Sequence, residues 1–330
     1  MPGYHIHNSC KFVKGHRAYF VYDLYRTKGY YVTLPVGDYL TQGKGAGTVL
    51  RQHATELADL LEKEIIYQTG PAAYRNLVPG GLHESPEAIT NLILAYTDDC
   101  YRQTGRAAIV HRLIEELGIR HLQIAVAENH EEQVLLQLLD QFRDSLLQHI
   151  ELVFAASAPT PSFLEQLCAN PRVQAVMLIE DTEKLIAKKG KVYTVSRRLY
   201  LAGQHPLKFS INKQLYDESQ HHHTYFHKKL YIDAQGNLGN APEYPRLFMN
   251  IFEDYSAGKV WKTIASKAFR KYWDVRKDDC LVCRDCEFRH MCVDRRLPHK
   301  TTSGAWAHRE TCNYDPYTNT WKQPPAITAA

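Results

Sequence analysis

The sequence has no apolar run near the ~20 residues that cross a bilayer, so no membrane span is expected. It also has no strong charge of either sign. Forty Lys and Arg stand against 36 Asp and Glu, a formal charge of +4 over 330 residues, which gives no reason to expect a nucleic-acid partner. The first fourteen residues hold His, Asn and Lys where a secretory signal would hold an apolar core, so a cytoplasmic protein is expected. Thiols stay reduced in that compartment, and clustered cysteines there read as metal ligands or catalysts rather than disulfides. Outside one region cysteine is scarce. Cys10, Cys100 and Cys168 stand singly, as inert or buried thiols do. Internal repeats and low-complexity segments are absent too, and the apolar content of 44% is that of an ordinary globular protein.

What is present divides into three consecutive spans. In residues 1–80, Ala18–Leu24 and Tyr30–Leu34 are rich in Tyr, Val and Phe and flank Arg26–Gly29, the pattern of a β-hairpin. Val49–Tyr67 follows with Leu57, Leu60, Leu61 and Ile65 at helical spacing. Strands followed by helices suit a small winged-helix-like module, closed by the loop Val78–Gly81. Between them, Gly43–Gly47 hints at a phosphate loop. It lacks the spacing and the terminal Lys-Ser/Thr pair, so a flexible connection is expected.

Residues 81–227 alternate. A helix at Val110–Leu117, stopped by Gly118, precedes a strand at His121–Ala127. Glu131–Ile150 reads as a long amphipathic helix with the stripe Leu135, Leu138, Leu139, Phe142 and Leu146. A strand at Glu151–Ala156, a helix at Ser162–Cys168 and a strand at Val173–Ile179 follow, with Val192–Leu199 and Leu207–Ile211 as further strands. This predicts an α/β fold: a parallel sheet with too few units for a closed eight-stranded barrel, hence a partial (β/α) barrel. Residues 228–330 open on a strand at Leu230–Asp233, turn at Gly236–Gly239 and form a helix at Val260–Phe269. The cysteine run comes next, and then a tail ending in Pro324-Pro325.

Cys280, Cys283, Cys286 and Cys292 form C-x2-C-x2-C-x5-C, and Cys312 follows after nineteen residues. Thiolates two residues apart on a turn face one centre, with backbone N–H groups aimed at the sulfurs. Four such ligands serve an iron–sulfur cluster or a structural zinc, and spacing does not choose between them. Arg284, Arg289, Arg295 and Arg296 lie among them and either offset thiolate charge or line a solvated loop. His221-His222-His223 and His227 pose a second question. On a helix, His223 and His227 would share a face and, with Asp217 and Glu218, bind a divalent ion in a metal-dependent oxidase or hydrolase. The plainer reading is a polar surface segment. Twenty-one Tyr offer rigid amphipathic area for binding a peptide or for packing.

The segment Asp279–Cys292, through Cys283, Cys286 and Cys292, resembles a SPASM domain, the auxiliary iron–sulfur module of radical SAM peptide-modifying enzymes. With Lys229–Asn240, Phe248–Ile251, Phe12–Gly15, Ser210–Asn212 and Cys312–Tyr317, the chain resembles over nearly its full length the SPASM-domain peptide maturase of grasp-with-spasm systems. That resemblance implies a maturation factor for a ribosomally synthesised peptide, with a precursor peptide and an ATP-grasp ligase as partners. It also implies that the N-terminal module recognises the precursor by strand addition. Two departures matter. No C-x3-C-x2-C run precedes Cys280, so radical initiation by the usual route is disfavoured, and whether the chain is an enzyme stays open. The cysteines of a first auxiliary cluster are missing around Gly236–Asn250, where Asn240 and Glu243 stand, and Arg296 takes the place of the family's fourth clustered cysteine. One [4Fe-4S] cluster on Cys283, Cys286, Cys292 and Cys312 is expected, with Cys280 as an alternate or capping thiol. The alternative is a zinc-stabilised adaptor that presents the peptide to the ligase.

Overall fold

The computed structural model describes residues 4–68, 85–155, 158–201 and 209–322. The chain divides into two compact units, each assembled from separated stretches. The first takes residues 1–84, 204–224 and 275–324, and the second takes 85–203, 225–274 and 325–330. The consecutive spans 1–80, 81–227 and 228–330 expected from the sequence do not coincide with these units. Residues 229–250 pair into the sheet of the second unit, while the cysteine run belongs to the first.

The first unit opens with β1 (Tyr4–Ile6), β2 (Cys10–Lys14), β3 (Ala18–Asp23) and β4 (Lys28–Thr33). Next come α1 (Leu34–Gln42), α2 (Ala46–Gln52), α3 (Ala54–Glu62) and β5 (Ile66–Gln68). β3 and β4 form the expected hairpin, and β2-β3-β4 is a three-stranded antiparallel sheet. Side chains alternate across a strand, and here both faces are covered. Tyr19 and Val21 pack with Val32, Val36, Val49, Leu57 and Leu60 beside the helices. Phe20 and Tyr22 point the other way, into a cluster with Val13, Phe288, Met291 and Tyr314. Every residue of β3 is therefore buried.

The single helix expected over Val49–Tyr67 is two helices and a strand. His53, at φ −120° and ψ 27°, breaks the helix. The β-branched pair Ile65-Ile66 takes the chain into β5, which pairs antiparallel with β1. Gly43 and Gly45 make the expected flexible connection a tight turn, both at φ near +70°, where a side chain would be strained.

The second unit contains β6 (Asn91–Tyr96), α4 (Asp98–Tyr101), α5 (Arg106–Leu117), β7 (His121–Val126), α6 (Glu132–Gln141) and β8 (His149–Phe154). It continues with α7 (Pro161–Ala169), β9 (Val173–Glu180), β10 (Ile186–Lys189), β11 (Val192–Ser196) and α8 (Arg197–Leu201). α9 (Lys213–His221) belongs to the first unit. The second resumes with β12 (Lys229–Ile232), β13 (Asn237–Gly239), β14 (Leu247–Asn250) and α10 (Ala257–Ala265). The strands form one nine-stranded sheet in the order β10-β11-β9-β8-β7-β6-β12-β13-β14. The run β11, β9, β8, β7, β6 and β12 is parallel, and antiparallel pairing is confined to the two ends. The fold is mixed α/β around a large, mostly parallel central sheet.

Four expectations shift. α6 stops at Gln141 instead of running to Ile150, because the chain must turn to enter β8 at His149. Phe142 stays buried, but Leu146 is 47% exposed. Val192–Leu199 is a strand only to Ser196 and then helical. α10 begins three residues before Val260 and ends four before Phe269. Residues 209–211 of the Leu207–Ile211 candidate are not in a strand, while 207–208, the loop 78–81 and Pro324-Pro325 lie outside the described residues. No helix among the described residues is long and apolar enough to cross a membrane.

Two short hairpins complete the first unit: β15 (Pro298–Lys300) with β16 (Trp306–His308), and β17 (Tyr314–Asp315) with β18 (Thr320–Trp321).

Candidate metal centre

All eight cysteines are free thiols, and Cys280, Cys283, Cys286, Cys292 and Cys312 all belong to the first unit. Two 3-10 turns, Lys277–Asp279 and Cys283–Asp285, coil the chain around the run. Cys280 N–H donates to Lys277 O at 3.2 Å and Cys286 N–H donates to Cys283 O at 3.0 Å, so each turn closes on a cysteine. Between them Val282 sits at φ +68° and ψ −49°, a conformation that a β-branched residue avoids. The loop is fastened by Leu281 N–H donating to Trp306 O at 2.8 Å. Backbone N–H groups also point at two sulfurs: Phe288 N–H lies 3.4 Å from Cys286 Sγ, and Tyr314 N–H lies 3.4 Å from Cys312 Sγ. Hydrogen bonds of this kind stabilise a metal-bound thiolate.

The thiols affect one another. Burial raises Cys283, Cys286 and Cys292, and in each case Cys312 adds to the rise; Cys283 acts likewise on Cys286 and Cys292. Cys280 is pushed up to about 12 by burial, with Lys277 pulling the other way. Thiols held this high stay protonated at neutral pH unless a metal takes the proton's place.

Cys283, Asp294 and His308 bring their donor atoms within 4.8 Å of one another. Such a trio suggests a mononuclear ion, but two of its members, Asp294 and His308, already bind an ammonium. Lys277, only 3% exposed, donates to Asp294 Oδ2 at 2.7 Å and to His308 Nε2 at 3.1 Å. His308 Nδ1 faces Arg296 O at 3.1 Å, which puts the ring proton on Nδ1 and leaves Nε2 to accept from Lys277. Burial, then the Lys277 charge, lowers His308 to about 3, so this ring is neutral. Asp294, fully buried, is also clasped by Arg296, with Nε 2.9 Å from Oδ1 and Nη2 2.6 Å from Oδ2.

Burial works against the charge on Lys277, yet Asp294 and then Cys283 and Cys292 hold its pKa above the usual lysine value. Arg296 is raised too: burial opposes its charge, and Asp294, then Cys312 and Cys283, outweigh it. Burial disfavours the Asp294 carboxylate, and Lys277 and Arg296 nonetheless bring it well below the usual range. Two buried cations thus face one buried carboxylate. An uncompensated buried charge costs several kcal/mol, and the anions at hand to compensate it are the thiolates. The donor set and its surroundings fit a thiolate-ligated, negatively charged centre.

Of the four arginines singled out, Arg296 has this role. Arg289 is a clamp, pairing with Asp278 at 2.8 Å and donating to the carbonyls of Lys14 and Cys286, and Arg284 is mostly exposed. Lys277, Asp294 and His308 were not picked out by the sequence reading, because no spacing rule marks them. The helical geometry needed to pair His223 with His227 is not formed. α9 ends at His221, His223 meets His308 ring to ring at 6.4 Å in the first unit, and His227 packs on Trp273 at 5.4 Å in the second. Asp217 is ion-paired with Lys213.

No family model matches the chain, and no curated protein matches it. Among solved structures it is similar to Streptococcus suis SuiB bound to S-adenosylmethionine. The TM-score is 0.28 and the identity 9%, over 88% of this chain and 94% of that one. Likeness of that degree assigns neither a fold nor an activity.

Proposed function

We propose that the first unit carries one iron–sulfur cluster on Cys283, Cys286, Cys292 and Cys312, within a maturation factor for a ribosomally synthesised peptide. The observation that carries the cluster is that Cys283 lies within 4.8 Å of the Asp294 carboxylate, on which two buried cations, Lys277 and Arg296, converge. Cys280, fully buried behind Leu281 and Trp306, is the alternate thiol. Such a cluster supplies one-electron chemistry, or a Lewis-acidic iron if one position is left open.

The peptide part of the reading rests on the SPASM-like cysteine pattern. In it, β2–β4 with α1–α3 serve as a winged-helix-like peptide-binding module, and the outer edge of β4 receives the precursor as an added strand. The sheet of the second unit is the open counterpart of a (β/α) barrel, and an ATP-grasp ligase is the companion enzyme.

Anaerobic purification with iron, sulfide and zinc analysis tests the centre. About four iron and four sulfide per chain are expected for a [4Fe-4S] cluster. A colourless protein with one zinc and no sulfide would overturn it in favour of the zinc-stabilised adaptor. Titrating a labelled precursor peptide onto the protein tests the partner.

A further inference from the structure

Cys283, Asp294 and His308 bring their donor atoms within 4.8 Å of one another, and two of the three, Asp294 and His308, bind the Lys277 ammonium. Asp294 carries its charge and His308 gives its free lone pair, while the proton of that ring is spent on the Arg296 carbonyl. Arg296 doubles the device. Its Nε and Nη2 grip the same carboxylate, and Nη1 donates to Glu310 O at 2.7 Å, so the guanidinium has no freedom to swing out to water. Burying a lysine and an arginine on one aspartate is expensive, and replacing such groups by apolar residues often stabilises a protein. A purely structural loop would have little use for them. The carboxylate that both cations grip lies within 4.8 Å of Cys283 Sγ, and each cation is electrostatically coupled to Cys283, Lys277 also to Cys292 and Arg296 also to Cys312.

We propose that Lys277 and Arg296, anchored on Asp294, are fixed positive charges that raise the reduction potential of the centre held by Cys283, Cys286, Cys292 and Cys312. The inference rests on the reading that this centre is an iron–sulfur cluster. When the cluster accepts one electron from a low-potential one-electron donor, the donor is oxidised and no bond is made or broken. The added negative charge settles beside cations that are already in place and need not reorganise. Cluster potentials are set by net charge, hydrogen bonds to sulfur and exposure; here the charge is built in by side chains that touch each other rather than solvent. The same arrangement assigns Asp294 and His308 as positioning residues rather than ligands.

The test is a dye-mediated spectroscopic redox titration of the anaerobically purified, cluster-loaded protein, with iron and sulfide counted for every variant. Lys277→Met and Arg296→Gln each remove a positive charge and are expected to lower the midpoint potential. Asp294→Asn removes a negative charge and is expected to raise it. Opposite signs from residues in one cluster of contacts are not produced by loosened packing, which moves all three the same way. If Lys277→Met fails to fold, Asp294→Asn and Arg296→Gln still give the sign pair. A loaded cluster whose potential is unmoved, or moves alike in all variants, overturns the inference. A wild-type protein with no sulfide overturns the underlying reading instead.

Discussion

Lysine is seldom buried without a partner, and at position 277 the partner is Asp294, which lies seventeen residues along the chain. Cys283→Ala is expected to cut bound metal sharply by removing one of four thiolates, with metal analysis as the measurement; full retention would take that residue out of the ligand set. Val282→Gly relieves a positive-φ valine. It is expected to raise metal-free stability by about 1 kcal/mol in denaturant unfolding.

Two buried histidines give the pH dependence. Burial, then Arg289, lowers His290 to about 4, and His308 is lowered to about 3. Between about pH 4 and 6.5 the unfolded chain therefore binds more protons than the folded one, and stability falls as pH falls. Each histidine accounts for up to about 1.4 kcal/mol per pH unit in that window. Melting of metal-free protein from pH 7 to pH 5 should show the loss, and His290→Gln should flatten it.

Among elements, β3 is the one on which the first unit turns. Phe288, from the cysteine segment, meets Phe20 at 5.1 Å, Tyr31 at 5.8 Å and Tyr314 at 4.8 Å between ring centres. Tyr22 reaches the same segment, its hydroxyl donating to Glu287 O at 2.6 Å. Phe288→Ala is expected to cost about 3–5 kcal/mol, measured by denaturant unfolding, and to lower metal retention with it. The β3–β4 hairpin was legible in the sequence because period-2 aromatic runs flank a turn, and α5 because Gly118 ends it. α6 was misjudged because apolar residues continue at helical spacing through Phe142 and Leu146 after the chain has turned, and periodicity alone does not report a turn. The cysteines were legible from local spacing. Lys277 and His308 were not, because their meeting joins residues 31 apart and depends on a carboxylate between them that no local pattern marks.

At the scale of the whole molecule, the first unit is built from three stretches separated by most of the second. A chain cut after residue 274 lacks Phe288, Met291 and Tyr314, three of the six buried residues of the cluster that holds Phe20 and Tyr22. Such a fragment is expected to lose hydrogen-exchange protection in β3, with more than a tenfold rise in exchange rates, while β7 and β8 of the second unit keep theirs. Equal protection in both would show that the N-terminal sheet needs no partner.

The three-stretch assembly also sets a timetable. A ribosome adding roughly 5–20 residues per second needs on the order of 10–50 s to pass from the end of the first stretch to the last cysteine. For most of that interval Phe20 and Tyr22 have been made while Phe288, Met291 and Tyr314 have not. The newborn chain is thus a period of exposure for one aromatic face, a natural point for a chaperone to hold it. On the proposed ligand set, the centre stays incomplete until Cys312 has been made.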